Sequence, residues 1–159
     1  MMKRVLFLLA AIAISLTLVQ SQSMKLGANL SLPVGDASNA YTFGLQADFN
    51  YLFDVSEGFQ AGPMASLFYY NGDKIGSFKV DDAIFLPIGG HARYSFEKFF
   101  VGADLGYAIG LSPSGMNGGI LIRPKVGYNL GFITPVVSYS AITRSGTFSS
   151  INLGVEFTF

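Results

Sequence analysis

Cysteine is absent from the 159-residue chain, which excludes disulfides, thiol chemistry and a lipoprotein anchor. Charge is scarce and balanced. Ten basic residues face ten acidic ones, so neither a nucleic-acid groove nor an acidic substrate is indicated. Histidine occurs once, at His91, and with no cysteine beside it no Cys/His metal cluster arises. No glycine-rich strand-to-helix turn of the nucleotide-binding kind is present either, so neither metal nor cofactor is expected. Apolar residues at helical spacing are missing from every useful window after residue 23.

What the chain has in quantity is glycine (19), phenylalanine (15) and tyrosine (8), a mixture suited to tightly turned β structure. The length fits one domain. "MMKR" gives a basic flank, residues 5–19 an apolar stretch, and "QSQS" small residues at a cleavage position, so residues 1–23 read as a secretory signal peptide. Fifteen apolar residues fall short of the roughly 20 that a membrane-crossing helix needs. Cleavage after Ser21 or after Ser23 fits equally, which leaves residues 24–159 as the domain.

From there, period-two alternation recurs in eight runs: residues 24–32, 41–53, 59–70, 84–96, 99–109, 120–128, 133–141 and 151–159. The connections alternate long and short. Pairing Phe96 with Phe99 across the two-residue turn Glu97-Lys98 keeps the apolar sets of both flanking strands on one side, as a hairpin requires. The expected fold is all-β, an eight-stranded antiparallel up-and-down transmembrane β-barrel.

Which face points inward follows from volume and charge. One face carries Phe, Tyr, Leu or Ile at position after position, too much bulk for the narrow interior of eight strands. The other carries Gly27, Gly44, Gly62, Gly89, Gly102, Gly106, Gly127 and Gly154, together with Lys25, Asp48, His91, Arg93, Asp104, Arg123, Lys125 and Glu156. An Arg or Lys on the lipid face costs about 2–4 kcal/mol at the bilayer midplane, so the charged set is expected inside as a lumen polar network. Aromatics gather beside the short turns, with Tyr41, Phe43, Tyr69, Tyr139 and Phe148 marking a thinner girdle at the other end. Pro63, Pro87, Pro124 and Pro135 fall within strands, where each is expected at a bulge or a strand end.

The last strand reads polar, any, Gly, any, any, aromatic, any, aromatic through Asn152, Gly154, Phe157 and Phe159. On that ending, and on the alternation along the whole of residues 24–159, the chain resembles the small bacterial outer-membrane β-barrels of the OmpA/OmpX type. The resemblance implies a C-terminal assembly signal read by the barrel assembly machinery after delivery by periplasmic chaperones. It also implies contact with outer-membrane lipid and lipopolysaccharide, termini and short turns in the periplasm, and the longer loops outside the cell. No peptidoglycan-binding domain follows the barrel, so wall tethering is not implied.

Three functions compete. The first is an envelope-structural, adhesion or surface-recognition barrel without catalysis, monomeric or weakly associating, acting on an unidentified extracellular ligand through its loops. Its longest loop carries Asp73, Lys74, Lys79, Asp81 and Asp82 as a contact surface. The second is a lipid A-modifying enzyme built on His91 opposite Asp104, for which spacing supplies no serine nucleophile. The third is a soluble periplasmic barrel of lipocalin kind. Adjacency of the first and last strands is expected to bring Lys25 near Glu156, and ion pairing of this kind among the lumen charges favours the first, because buried charges need partners.

Overall fold

The computed structural model describes residues 22–159, and the proposed signal peptide lies almost wholly outside them. Eight long strands form the wall: β1 (Gln22–Val34), β2 (Tyr41–Ser56), β3 (Phe59–Gly72), β6 (Ala83–Phe96), β7 (Phe99–Ser112), β8 (Gly119–Tyr128), β9 (Ile133–Thr143) and β10 (Thr147–Thr158). Two short strands, β4 (Lys74–Ile75) and β5 (Phe78–Lys79), make a separate hairpin between β3 and β6. Each long strand pairs antiparallel with its neighbour along the chain, and β1 closes on β10 through pairs such as Leu30 with Leu153. Closure leaves no edge strand, which is the condition for backbone polar groups to be satisfied in lipid.

The expected face assignment holds. Phe49 and Leu105 stand exposed on the outside, whereas Asp48, Asp104 and Glu156 are buried within. Around the short-turn rim the aromatics touch in series: Phe96 stacks on Phe99 at 6.1 Å between ring centres, Phe99 meets Tyr128 at 4.8 Å, and Phe132 meets Phe159 at 5.5 Å. Such a belt sits where amphipathic or apolar rings meet a headgroup layer.

Two members of the opposite girdle turn the other way. Tyr41 and Phe148 pack into the lumen beside Tyr70, Phe85 and Phe68 instead of facing lipid. For Tyr41 the cause is a register shift between Tyr41 and Phe43 against β3, which inverts the alternation at Thr42. Phe148 lies two residues before Ser150 and four before Asn152, both buried in the lumen, so its inward direction follows from parity. Phe43 and Tyr139 face outward as expected. Bulk is therefore not confined to the exterior. Room for it comes from glycine: a Cβ on Gly44 would lie 2.5 Å from the Tyr70 ring, and one on Gly127 would run into Phe100.

The strand prolines resolve in a way the sequence reading did not foresee. Pro63 lies where pairing with β2 lapses between Asn50–Met64 and Phe53–Ala61. Pro87 lies in a lapse of the β3–β6 ladder between Ala65–Ile88 and Phe68–Phe85, and Pro124 in one between β8 and β9. In none of these does the register shift across the lapse, so no bulge is needed. Pro135 is the third residue of β9 and stays paired with Val155 of β10, but it lies just past the last β8–β9 pair, Gly127 with Val136, so the ladder ends there although the strand does not. Each ring nitrogen thus faces a place where the ladder asks for no donor.

Strand boundaries run longer than alternation suggested. β7 continues to Ser112 and β10 begins at Thr147, while β1 starts at Gln22, before the expected residue 24. The hairpin β4–β5 and a short 3-10 turn over Gly35–Asn39 were not anticipated at all.

Candidate functional site: the filled lumen

Parity along each strand delivers the lumen side chains in layers. Nearest the short turns, β6 supplies Arg93 and β10 supplies Glu156, and the two meet across the interior in a bidentate pair at 2.8 and 2.7 Å. The Arg93 guanidinium also lies 4.0 Å over the Phe100 ring, so its remaining face is covered by an aromatic. Planar forks of this kind suit a buried guanidinium, because two parallel charge-assisted bonds offset part of its desolvation.

The next layer centres on Arg123 of β8, which is fully buried. Its Nε donates to Asp104 Oδ2 at 2.6 Å, and its Nη1 lies 2.9 Å from Asp48 Oδ1 and donates to Gln46 Oε1 at 2.9 Å. Lys125, one inward position along, reaches Asp104 at 3.0 Å and Asp48 at 4.0 Å. Asp48 is held further by Asn29 at 2.8 Å and Ser66 at 2.7 Å. Two carboxylates and two cations, with neutral donors filling the remaining lone pairs, form a compact satisfied network.

His91 sits opposite Asp104, as the hairpin register requires, with Nδ1 2.5 Å from Asp104 Oδ1. Arg93 Nε donates to His91 Nε2 at 3.0 Å. An arginine N–H can only donate, so Nε2 is the acceptor, Nδ1 carries the proton, and the imidazole is neutral. Both ring nitrogens are therefore engaged. No serine hydroxyl is hydrogen-bonded to His91 among the described residues, and the lone pair a general base would use already faces Arg93.

Lys25 departs from expectation. The β1–β10 register places it beside Thr158, and its Nζ donates to Thr158 Oγ1 at 2.9 Å, while Glu156 is taken by Arg93. It borders a vestibule of about 530 Å³ at the short-turn mouth, whose wall includes Ser23, Gln60, Thr134 and Lys98. Because it belongs to no carboxylate pair among the described residues, Lys25→Met should shift unfolding free energy by less than about 1 kcal/mol, since removing an unpaired buried charge does not strand a partner. Denaturant titration of the refolded barrel checks this.

Above the charged layers comes a neutral one. Asn152 donates to Ser140 at 2.8 Å and Ser138 at 3.1 Å, and accepts from Gln46 at 3.0 Å. Tyr70 shares hydrogen bonds with Gln46 and Ser150. Its ring then begins an aromatic plug with Phe148 at 4.6 Å and Phe85 at 6.3 Å, which seals the long-loop end. Sequence reasoning missed this plug, although the parity of Phe68, Tyr70 and Phe85 with Ser66 and His91 carried the signal.

The C-terminal residues divide by parity. Asn152 joins the neutral lumen layer, Gly154 packs against β1 where a Cβ would meet the Ala28 carbonyl, and Phe157 and Phe159 both pack on Phe132 at the rim. In the longest loop, Asp82 fastens the loop to the end of β3: it accepts from Gly72 N at 2.9 Å and from the Tyr69 hydroxyl at 2.7 Å. The Gly72 N–H, followed by the Tyr69 hydroxyl, holds the Asp82 carboxyl below its ordinary range. Asp73 and Asp81 flank the base of the loop, and Lys74 and Lys79 form the outer hairpin.

No family model matches the sequence, and no curated protein does. Solved structures match at the level of architecture. The outer membrane protein Ail of Yersinia pestis in a phospholipid bilayer nanodisc is 12% identical with a TM-score of 0.62, over 87% of this chain and 99% of that one. Neisserial surface protein A is 16% identical with a TM-score of 0.57, over 87% and 97%. The attachment invasion locus protein Ail in complex with the heparin analogue sucrose octasulfate is 15% identical with a TM-score of 0.51, over 87% and 98%. The chain thus has the closed eight-stranded antiparallel fold of the small transmembrane β-barrels.

Proposed function

We propose that the chain is an integral outer-membrane barrel that serves surface recognition or adhesion through its long-loop end and carries neither solute nor catalysis. The observation that carries this reading is the series closure of the lumen, by the Arg93–Glu156 and Arg123–Asp104–Asp48 layers and then by the plug around Tyr70 and Phe148. A path for ions would have to break desolvated pairs in one half and displace packed rings in the other. Similarity in fold to an attachment invasion locus protein and to a Neisserial surface protein supports a surface role. Orientation in this reading puts the connections 35–40, 73–82, 113–118 and 144–146 outside the cell, the last of them only three residues long where a longer loop was expected, with both termini in the periplasm and the Phe157–Phe159 ending where assembly factors read it.

The engaged state of both His91 nitrogens speaks against the lipid A-modifying alternative. A lipocalin-like barrel would need an apolar cavity and a polar exterior, and the observed arrangement is the reverse. Planar-bilayer recording tests the plugged lumen. Purified barrel is expected to give no steady ion-conducting state, and a sustained open level would overturn the proposal.

A further inference from the structure

The loop between β3 and β6 is a stalk with a finger on it. Its base is fastened four times: Asp73 N to Ala40 O at 2.8 Å, Val80 N to Asp73 O at 2.9 Å, and Asp82 to both Gly72 N and the Tyr69 hydroxyl. Above it, Gly76 takes a left-handed φ of 64°, which closes the tight turn between β4 and β5. The cross-strand pairs are Lys74 opposite Lys79 and Ile75 opposite Phe78.

The first pair breaks a pairing rule, and the second, a favourable one in itself, is left uncovered. Like charges directly opposite each other destabilise a hairpin, and Phe78 is 79% exposed with Ile75 at 57%. At the long-loop end these are the exposed large hydrophobics that lie off the barrel wall, among the described residues. Lipid around the barrel explains the rest of the apolar exterior but not these two. Positions where a sequence departs from local consistency are where function is to be sought.

We propose that the β4–β5 finger docks on the surface of an apposed anionic lipid bilayer, with Ile75 and Phe78 entering the headgroup–acyl boundary and Lys74 and Lys79 on the headgroup anions. This rests on the reading that the long-loop end faces outward. A bilayer interface uses both features, since apolar side chains gain burial while lysines reach anionic headgroups by their flexible stems. A sulfated glycan would engage the lysines and leave Phe78 uncovered. An apolar protein groove would cover Phe78 without any use for opposed lysines. Along the stalk, Asp73, Asp81 and Asp82 gather at the base, the Lys74–Lys79 pair lies next, and Ile75 with Phe78 stands nearest the Gly76–Ser77 tip, so apolar insertion would leave the lysines at headgroup level.

The test uses the full barrel in phosphatidylcholine nanodiscs, co-floated with phosphatidylcholine vesicles with or without phosphatidylserine. The wild type is expected to float with phosphatidylserine vesicles and not with pure phosphatidylcholine. Lys79→Ala should weaken partition about fivefold, the factor for about 1 kcal/mol per lysine at an anionic surface. Phe78→Ser should weaken it about tenfold or more, from the lost burial of one aromatic side chain. Heat-modifiable gel mobility confirms that both variants keep the barrel. Equal flotation with both vesicle types, or variants that float like the wild type, would overturn the inference, as would heparin binding that needs Lys79 while Phe78→Ser changes nothing in any arm. Amine labelling of intact cells separates the two readings. Labelled Lys74 and Lys79 without vesicle binding sinks the docking inference alone, and lysines shielded from outside sink the orientation and the inference together.

Discussion

Arg123→Met is expected to destabilise the barrel by about 3–5 kcal/mol, the cost of leaving buried charges unpaired. The guanidinium touches Asp104, Asp48, Gln46 and Ser66 and lies 5.0 Å from the centre of the Phe68 ring, so five groups lose their common partner at once. Lys125 stays within 3.0 Å of Asp104 and 4.0 Å of Asp48, but one ammonium cannot replace a fork that spans both carboxylates. For the same reason Arg123→Lys should recover little. Neutralising one stranded acid should recover much, because Lys125 then balances Asp104, so Arg123→Met combined with Asp48→Asn is expected to be more stable than the single variant. Urea unfolding in lipid vesicles, followed by tyrosine fluorescence and gel mobility, reads all three. A loss below about 1 kcal/mol for the single variant would mean that the layer behaves as a solvated one, as surface pairs do.

What the sequence revealed about this layer was uneven, and the unevenness has a geometric cause. His91 opposite Asp104 was readable because both residues sit in one hairpin whose two-residue turn fixes the register. Arg93 with Glu156 joins β6 to β10, and Arg123 with Asp48 joins β8 to β2, pairs that meet only across the closed interior. Adjacency of β1 and β10 was readable, but it suggested Lys25 beside Glu156, and the longer Arg93 took that carboxylate from the far wall. Alternation told which residues turn inward. It said nothing about which of them touch. Tyr41 escaped even that rule, since an inserted residue at a register shift leaves no mark in the composition.

The bulk inside the lumen, at both ends, was misjudged for a related reason. Counting bulk on the two faces treated the lumen as uniformly narrow, whereas glycines at Gly44 and Gly127 are distributed so that a large ring lies over each. Small and large residues alternate across facing strands, and this is how a filled interior accepts Phe68, Tyr70 and Phe100. The prolines gave a similar lesson. A ladder has directions, and a proline in a wall strand costs little when its nitrogen faces a pair that is not formed.

Leu105→Arg carries the other large expected effect, about 2–4 kcal/mol of destabilisation in a lipid bilayer. Leu105 lies midway along β7, is 62% exposed, and pairs with Gly90 on one side and Ile122 on the other. Nothing packs over it from within the chain, so the change makes no cavity and breaks no contact of the lumen. Its cost comes from the surroundings. In water an arginine replacing an exposed leucine would be neutral or helpful, whereas at the centre of an acyl layer the guanidinium must be desolvated or drag headgroups toward it. Depth separates this from any local strain: Leu111→Arg, near the long-loop end of the same strand and 52% exposed, should cost only about 0–1 kcal/mol, because there the side chain reaches the interface. Unfolding titrations of both variants in the same vesicles measure the difference directly. Equal losses at the two positions would show that the outer face does not sense a hydrocarbon gradient, and the orientation of every strand relative to lipid would have to be reconsidered.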